Sequence, residues 1–289
     1  MNTSSISLET TNEDRLKDRH FNEIARLVES YSGIRLPPVK RIMIEGRLRR
    51  RMRALGLDNL SDYGVEIFER GRLDEEFHHV VDCVTTNKTD FFREPEHFDY
   101  LADHALPALR SLRHGGAARL KFWSAAASIG AEAYTLAMVL AESLGLDKNT
   151  FEILGTDLNR EVLEQGRRAV YPLAFAEPIP KAMRARYVMN SRDPEREEFR
   201  IVPELRSRVG FDRLNLMDSS YPFDTNFDAI FCRNVLIYFS KPTQHEVIER
   251  LSSHLRTGGY LFLGHSESLA GNDHQNLQQV ASTIFRRVE

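Results

Sequence analysis

Three short segments carry polar residues where a folded chain would gather them into one cleft. The first is Ser124-Ala125-Ala126-Ala127-Ser128-Ile129-Gly130, a turn of small residues between an apolar run, Leu120–Ala126, and a helical stretch beginning near Ala131. A second apolar run, Phe151–Asp157, ends in Gly155-Thr156-Asp157. Strand, small-residue turn, helix, strand, acid is the order of a nucleotide-binding α/β unit. Small side chains let a ligand approach the backbone, and an acid ending the second strand is placed to accept hydrogen bonds from ribose hydroxyls. A pyrophosphate on the helix N-terminus calls for several glycines. The turn has only Gly130, which disfavours NAD and FAD and suits S-adenosylmethionine, a ribose and an adenine without phosphate. The competing reading is a plain turn in which Asp157 caps the next helix, Leu158-Asn159-Arg160-Glu161.

The second segment is Phe227-Asp228-Ala229-Ile230-Phe231-Cys232-Arg233-Asn234-Val235-Leu236-Ile237-Tyr238-Phe239. An apolar strand ending in Arg233-Asn234 presents polar groups at its carboxyl end, where α/β sheets bind ligands. Alternatively, Arg233 pairs with a nearby acid and Tyr238 is packed core. The third segment is a connector, Thr85 to Pro95, in which Asn87, Thr89 and Arg93 stand among Phe91, Phe92 and Pro95. The aromatic residues would pin it and leave the polar groups pointing elsewhere; the alternative is a helix cap at Thr89 or Asp90.

The elements that must position these residues follow from hydrophobic spacing. Residues 13–84 read as helices only, with apolar residues at helical intervals (Phe21, Ile24, Ala25, Leu27, Val28; Ile44, Leu48, Met52, Leu55) and breaks at Gly33, Pro37-Pro38, Gly56 and Gly71. From residue 119 strands and helices alternate. Strands are expected at Leu120–Ala126, Phe151–Asp157, Phe227–Cys232 and Gly259–Gly264, and helices at about 130–144, 159–168 and 242–256. Alternation with continuous apolar strands predicts a parallel sheet covered on both faces. Residues 171–214 interrupt the rhythm with Pro172, Pro178, Pro180 and Pro194 and short strand-like runs at Tyr187–Met189, Phe199–Val202 and Val209–Phe211. They are expected to form an inserted antiparallel piece. Gln278–Val280 and Thr283–Val288 read as a closing strand pair.

Composition narrows the class. The chain has 289 residues, 42% hydrophobic and 28% charged, which is ordinary for a globular protein and argues against wholesale disorder. No apolar run approaches the roughly 20 residues of a membrane span, and the first residues hold no signal-peptide core. Cys83 and Cys232 stand alone, so neither a disulfide nor a cysteine-based metal site is expected, and the simplest location is the cytoplasm. The formal net charge of −3 hides a basic block. Arg35, Lys40, Arg41, Arg47, Arg49, Arg50, Arg51 and Arg53 face one acid, Glu45, over that stretch, while the rest of the first 84 residues carries six bases and fourteen acids. Ile44, Leu48, Met52 and Leu55 form one stripe of a helix, and Arg47, Arg49, Arg50 and Arg53 fall off it. That predicts an amphipathic helix with a cationic face for an acidic partner. Overall acidity and the lack of a recognised nucleic-acid module argue against nucleic acid.

Taken together, the segment Asn87-Lys88-Thr89-Asp90-Phe91-Phe92-Arg93-Glu94-Pro95, the turn Trp123-Ser124-Ala125-Ala126-Ala127-Ser128, the run Phe231–Phe239 and Gly264-His265-Ser266-Glu267-Ser268 resemble the CheR family of chemotaxis receptor methyltransferases. The resemblance covers about residues 15 to 288. It implies an α/β architecture: a small N-terminal helical domain, residues 1–84, followed by a Rossmann-like S-adenosylmethionine-dependent methyltransferase domain, residues 85–289, with an inserted antiparallel β-subdomain at about 171–214. It implies transfer of a methyl group from S-adenosylmethionine to glutamate side chains of a chemoreceptor's cytoplasmic helices, giving glutamyl methyl esters and S-adenosylhomocysteine. By this resemblance Asn87, Thr89 and Arg93 line the cofactor site from the connector and Glu132 sits beside the cofactor's amino-acid end. Asp157 holds the ribose, Asn215 and Leu216 flank the adenine, and Arg233 with Asn234 completes the pocket. Arg93 and Tyr238 orient the substrate carboxylate.

The family's usual turn reads Ser-Thr-Gly-Glu-Glu-Pro-Tyr, whereas this chain has Ser128-Ile129-Gly130-Ala131-Glu132-Ala133-Tyr134. Glu132 matches the second acid. The alternative that this departure raises is a non-catalytic S-adenosylmethionine-binding regulator. The basic helix, through Arg47, Arg49, Arg50 and Arg53, is expected to dock the glutamate-bearing receptor helices. The β-subdomain is the second docking candidate, since in the family it can pair with a receptor's C-terminal peptide by its strand edge. The expected partner is therefore a chemoreceptor, with the enzyme a monomer, no metal and no membrane insertion.

Overall fold

The computed structural model describes residues 14–85, 88–112, 119–147, 150–193, 195–223, 225–267, 269 and 274–288. The chain forms two compact units, residues 1–86 and 87–289. In the first, four helices follow one another: α1 (Asp18–Ser32), α2 (Arg41–Ala54), α3 (Leu60–Phe68) and α4 (Leu73–Val84). Gly33, at φ 71°, ends α1, and the Asn59 side chain caps α3 by accepting the Asp62 N–H. The stripe Ile44, Leu48 and Met52 is buried, each such side chain contributing roughly 1.5–3 kcal/mol. Two acids are buried beside it. Glu76 takes both its oxygens to the Arg51 guanidinium at 2.8 and 2.7 Å, and Glu45 accepts from Arg41 at 2.9 Å and from the Leu16 N–H at 3.2 Å. Helix α3 can lie against α1 only because residue 64 is glycine: a Cβ there would stand 2.2 Å from the His20 ring.

The second unit opens with α5 (Glu96–Tyr100), which runs through a π-helical turn at Leu101–Ala105 into α6 (Leu106–Ser111). Its main sheet is built from β1 (Leu120–Ala125), β2 (Phe151–Asp157), β6 (Val209–Arg213), β7 (Phe227–Cys232), β8 (Leu255–Leu263), β9 (Leu277–Ala281) and β10 (Ile284–Arg287). The order is β6-β2-β1-β7-β8-β10-β9. The first five of these are parallel, and β10 pairs antiparallel with both β8 and β9. Helices α7 (Ala131–Leu144), α8 (Arg160–Arg168) and α11 (Lys241–His254) follow β1, β2 and β7. Strand order therefore reverses between β1 and β7, which opens a crevice at the strands' carboxyl ends. Strand β7 is buried at all six positions, so its polar sequel, Arg233-Asn234, emerges at that crevice. Within the core, the Phe231 and Phe262 rings stack 4.2 Å apart, and buried Trp123 satisfies its indole N–H on Thr156 Oγ1 at 2.9 Å.

A second sheet, β3 (Val170–Pro172), β4 (Val188–Asn190) and β5 (Glu198–Ile201), has the order β3-β5-β4 and is antiparallel. Between its strands lies α9 (Lys181–Tyr187), and α10 (Pro203–Arg206) leads back to β6. The expected insertion at 171–214 is thus too long. Its sheet ends at Ile201, and Val209–Phe211, expected within it, belongs to β6 and pairs parallel with β2. The run Val209–Arg213 alternates between covered and open positions because it is an edge strand with one covered face. A hairpin strand shows the same alternation, so sequence did not separate the two. The closing pair at the tail is β9 with β10, with a bulge after Ile284. Among the described residues no helix is long and apolar enough to cross a membrane.

Candidate functional site

Loops leaving the carboxyl ends of β1, β2, β6, β7 and β8 gather most of the expected residues. After β1 the chain takes positive φ at Ala126 (64°), Ser128 (50°) and Gly130 (86°). Only small side chains make this folding cheap. The turn is pinned from β2: the Ala127 N–H donates to the Thr156 carbonyl at 2.8 Å, and the Ser128 N–H to Asp157 Oδ2 at 2.9 Å. Asp157 Oδ1 accepts the Asn159 N–H at 3.0 Å. Burial pushes the Asp157 carboxyl up, and backbone hydrogen bonds from Asn159, Ser128 and Leu158 partly offset it. The cap of α8 is Asn159, which accepts from the Glu161 and Val162 N–H groups. Asp157 therefore ties the loop after β1 to the loop after β2. The Leu214 N–H donates to the Asp157 carbonyl at 3.0 Å, which brings Asn215 and Leu216, both nearly buried, beside the end of β2.

The electrostatic centre is Arg233, whose side chain is 2% exposed. Its guanidinium reaches Glu132 Oε2 at 3.0 Å, Glu94 Oε2 at 2.9 Å and the Arg93 carbonyl at 2.5 Å, and it lies 5.3 Å over the Phe98 ring. Its Nε–H is buried without an acceptor. Glu132 also accepts from Ser124 Oγ at 2.6 Å, so the acid is shared between β1 and β7. Asn234, at φ 59°, donates from Nδ2 to Glu94 Oε1 at 3.0 Å. Burial pushes the Glu94 carboxyl up, but hydrogen bonds from Asn234 and Arg233 and the Arg233 charge outweigh it and bring the carboxyl down to about 2. Next to it, burial and the Arg233 charge lower His97 to about 4.

Glu267 braces the loop after β7 from beneath. It is 4% exposed. Its oxygens accept the N–H groups of Asn234 at 2.9 Å, Leu236 at 2.7 Å and Gly264 at 2.6 Å. Burial raises its pKa against these backbone amides. Gly264 is required by close approach, since a Cβ there would stand 2.6 Å from Asn234 Nδ2. Glu267 thereby fixes both Asn234 and the short 3-10 turn Leu236–Tyr238. Glu94 and Glu267 were missed by sequence reasoning as site residues. Both lie inside segments already singled out, but only Glu267, among Gly264, His265, Ser266 and Ser268, stood out there as a lone acid, since Glu94 shares its segment with Lys88, Asp90 and Arg93.

Other expected residues are placed as follows. Arg93 gives its carbonyl to Arg233, while its own guanidinium donates to the Lys88 carbonyl at 3.2 Å. Thr89 and Tyr238 are half-buried. Asn87 lies outside the described residues. Ala131 and Ala133, the departures in the turn after β1, are both fully buried in the core, so neither position is an open one beside Glu132.

On α2 the four expected docking arginines separate into two kinds. Arg50 and Arg53 are exposed. Arg47 is instead half-buried and donates to the carbonyls of Cys83, Val84 and Thr85, the last at 2.7 Å, closing the end of α4. Arg49 pairs with Asp14 Oδ2 at 2.7 Å and donates to its carbonyl at 2.9 Å. The expectation of one free cationic face from Arg47 to Arg53 is corrected accordingly. Residues three or four positions from the apolar stripe flank it, and long arginine stems there lie along the neighbouring helices. The open stripe of α2 carries Ile42 (73% exposed), Gly46, Arg50 and Arg53, with Val39 (86% exposed) just before the helix.

Comparison with known proteins bears on the whole chain. The family model described as CheR methyltransferase, SAM binding domain, matches residues 87–286, and that described as CheR methyltransferase, all-alpha domain, matches residues 19–85. The chemotaxis protein methyltransferase of Salmonella typhimurium is 39% identical over 267 residues, covering 92% of this chain and 90% of that protein. Chemotaxis protein methyltransferase 2 of Pseudomonas aeruginosa is 37% identical over 265 residues, 92% of this chain and 91% of its own length. The chemotaxis protein methyltransferase of Borreliella burgdorferi is 34% identical over 270 residues, 92% and 93% of the two chains.

Proposed function

The chain belongs to the CheR family of chemotaxis methyltransferases, and on that premise we propose that it methylates glutamate side chains on the cytoplasmic helices of a chemoreceptor. The observation that carries this reading is the Glu132–Arg233–Glu94 constellation beside Asp157, at the sheet's strand-order reversal. Its donors and acceptors fit S-adenosylmethionine. Carboxylates at Asp157 and Glu132 suit ribose hydroxyls and an amino group, and the unpaired Nε–H of Arg233 suits a carboxylate. Asn215 and Leu216 are the residues for the adenine, and Asn87, Thr89, Arg93 and Asn234 complete the pocket. When bound, S-adenosylmethionine supplies a methyl group on an already activated sulfonium.

The chain's own residues then have little chemistry to perform. A substrate glutamate, with a pKa near about 4.3, is already ionised at neutral pH, so no general base is required. What remains is to strip water from that carboxylate and hold it in line, which is a matter of proximity and orientation. Arg93 and Tyr238 are the groups for this task. Arg93 should hold the carboxylate loosely, because a tight clamp would stabilise the ground state equally. The exposed stripe of α2, through Arg50 and Arg53 with Ile42 and Val39, would receive an amphipathic acidic helix. The outer edge of β4 is the place for a receptor's C-terminal peptide to add a strand. The enzyme is read as a monomer working in the cytoplasm.

The test is transfer of labelled methyl groups to a receptor cytoplasmic fragment, alongside calorimetry with S-adenosylmethionine. Arg93→Ala is expected to lower transfer sharply while cofactor affinity falls only modestly. Cofactor binding with no transfer by the unmodified chain would favour a non-catalytic regulator, and unchanged turnover in Arg93→Ala would remove Arg93 from the site.

A further inference from the structure

Among the described residues, two clusters of two histidines and one glutamate stand in the second unit. In each, one donor atom per residue lies within 4.8 Å of the others. The first, Glu94, His97 and His265, belongs to the crevice, and a cation already occupies it: Arg233 sits 2.9 Å from the Glu94 carboxylate. The second, His245, Glu249 and His274, is built from different elements and is not filled in this way. His245 and Glu249 stand one turn apart on α11, so their side chains share a face. His274 comes from the segment entering β9. Its side chain is 1% exposed, and its Nδ1 lies 2.5 Å from Glu249 Oε1. The His245 ring stacks on it with centroids 4.4 Å apart and planes 23° apart. His274 Nε2 is buried with no hydrogen-bond partner. Among the described residues, Glu249 has no Lys or Arg partner.

We propose that His245, Glu249 and His274 form a binding site for a divalent transition-metal ion of the zinc type. Two imidazoles and one carboxylate are the donor set that such ions take, with a water in the fourth position. Tetrahedral bonds of about 2.1 Å put donor atoms about 3.4 Å apart, so His274 Nδ1 and Glu249 Oε1, at 2.5 Å, must part as the ion enters, while donors within 4.8 Å of one another need at most a small further closure. His245, half-buried on a surface helix, can turn to supply it. The carboxylate of Glu249, 45% exposed, leaves the ion a way in. An ion taken by His274 through Nδ1 would replace the proton that this nitrogen now shares with Glu249 Oε1. An ion bound here would cross-link α11 to the edge hairpin β9–β10 and uses none of the residues assigned to methyl transfer, so the inference stands apart from the proposed function. Sequence could not show it: the cysteines carry no metal spacing, and the third ligand lies 25 residues beyond the second along the chain.

The experiment is calorimetric titration of the chelator-treated full chain with Zn2+, repeated with Co2+ for its visible absorption bands. One equivalent is expected, bound with micromolar affinity or better, with a tetrahedral Co2+ spectrum. His245→Ala and Glu249→Gln, both on the outer face of α11, are expected to weaken binding by about tenfold or more, whereas His265→Ala leaves it intact. His274→Ala alone is a poor test, because that buried side chain also packs. Absence of binding, or affinity unchanged in both α11 variants, overturns the proposal. Loss in His265→Ala without loss in His245→Ala would do so too, by moving the ion to the crevice.

Discussion

Replacing Glu94 by glutamine isolates one charge in the Arg233 network while keeping the side chain's shape. Its carboxyl is brought down to about 2, against burial, by hydrogen bonds from Asn234 and Arg233. Each tenfold change in a proton equilibrium corresponds to about 1.4 kcal/mol, so the fold favours the ionised form by roughly 2 to 3 kcal/mol after allowing for partial exposure. The side chain is 13% exposed, which keeps that allowance small. Glutamine mimics the neutral form and also sets an NH2 group against either Arg233 or Asn234. The second unit should therefore lose about 2 to 3 kcal/mol at pH 7. With a urea slope of about 2 to 3 kcal/mol per molar, the midpoint should fall by about 1 M. The single tryptophan, Trp123, is fully buried in that unit, so its fluorescence follows this transition without interference from the helical unit. A lowered folded pKa gives stability that is present above the unfolded value and lost as pH falls toward the folded one. The gap between the two proteins should accordingly narrow below about pH 4.5. A midpoint shift under about 0.2 M at pH 7 would refute the reasoning, and would mean that Glu132 alone holds Arg233.

His97 gives a second, opposite group to titrate. Burial and Arg233 lower it to about 4, so the folded chain keeps it neutral while the unfolded chain binds a proton below about pH 6.5. Its share of stability is held above that pH and lost toward pH 4, about 2 kcal/mol by pH 5. His97→Gln should flatten that part of the stability–pH curve measured by urea titration. On α2, Arg47→Ala should destabilise the helical unit by about 1 to 2 kcal/mol, because three carbonyls at the end of α4 lose their donor, and thermal unfolding by circular dichroism reads this. Arg50→Glu with Arg53→Glu should leave that unfolding unchanged and raise the Michaelis constant for a receptor fragment; equal loss of cofactor binding would instead indicate a damaged fold.

Much of the molecule was legible in the sequence because the signals are local. Apolar runs bounded by small residues marked β1, β2 and β7, and helical spacing marked α7, α8 and α11. The small-residue turn after β1 and the acid ending β2 identified the crevice, since strand ends and turn chemistry depend on a few adjacent residues. The motifs around Arg93, Ser124 and Arg233 carried the family resemblance, and with it the chemistry. What charged residues do was less legible, because an ion pair has no period. Arg233 meets Glu132 and Glu94 at 101 and 139 positions' remove along the chain. No spacing rule told that Glu94 would be held ionised or that Glu267 would collect three amides.

The sequence by itself determined the two-part architecture and the parallel strands β1, β2, β7 and β8, because burial patterns repeat with the period of the element that produces them. Only the tertiary structure decided the partners. It turned Arg47 and Arg49 from a free cationic face into ties within the helical unit, leaving Arg50 and Arg53 open. It moved Val209–Arg213 from the insertion to the edge of the main sheet. It also placed His274 against His245 and Glu249. Each of these outcomes rests on which distant group fills a side chain's hydrogen-bonding capacity once water is excluded, and that is fixed by packing in space.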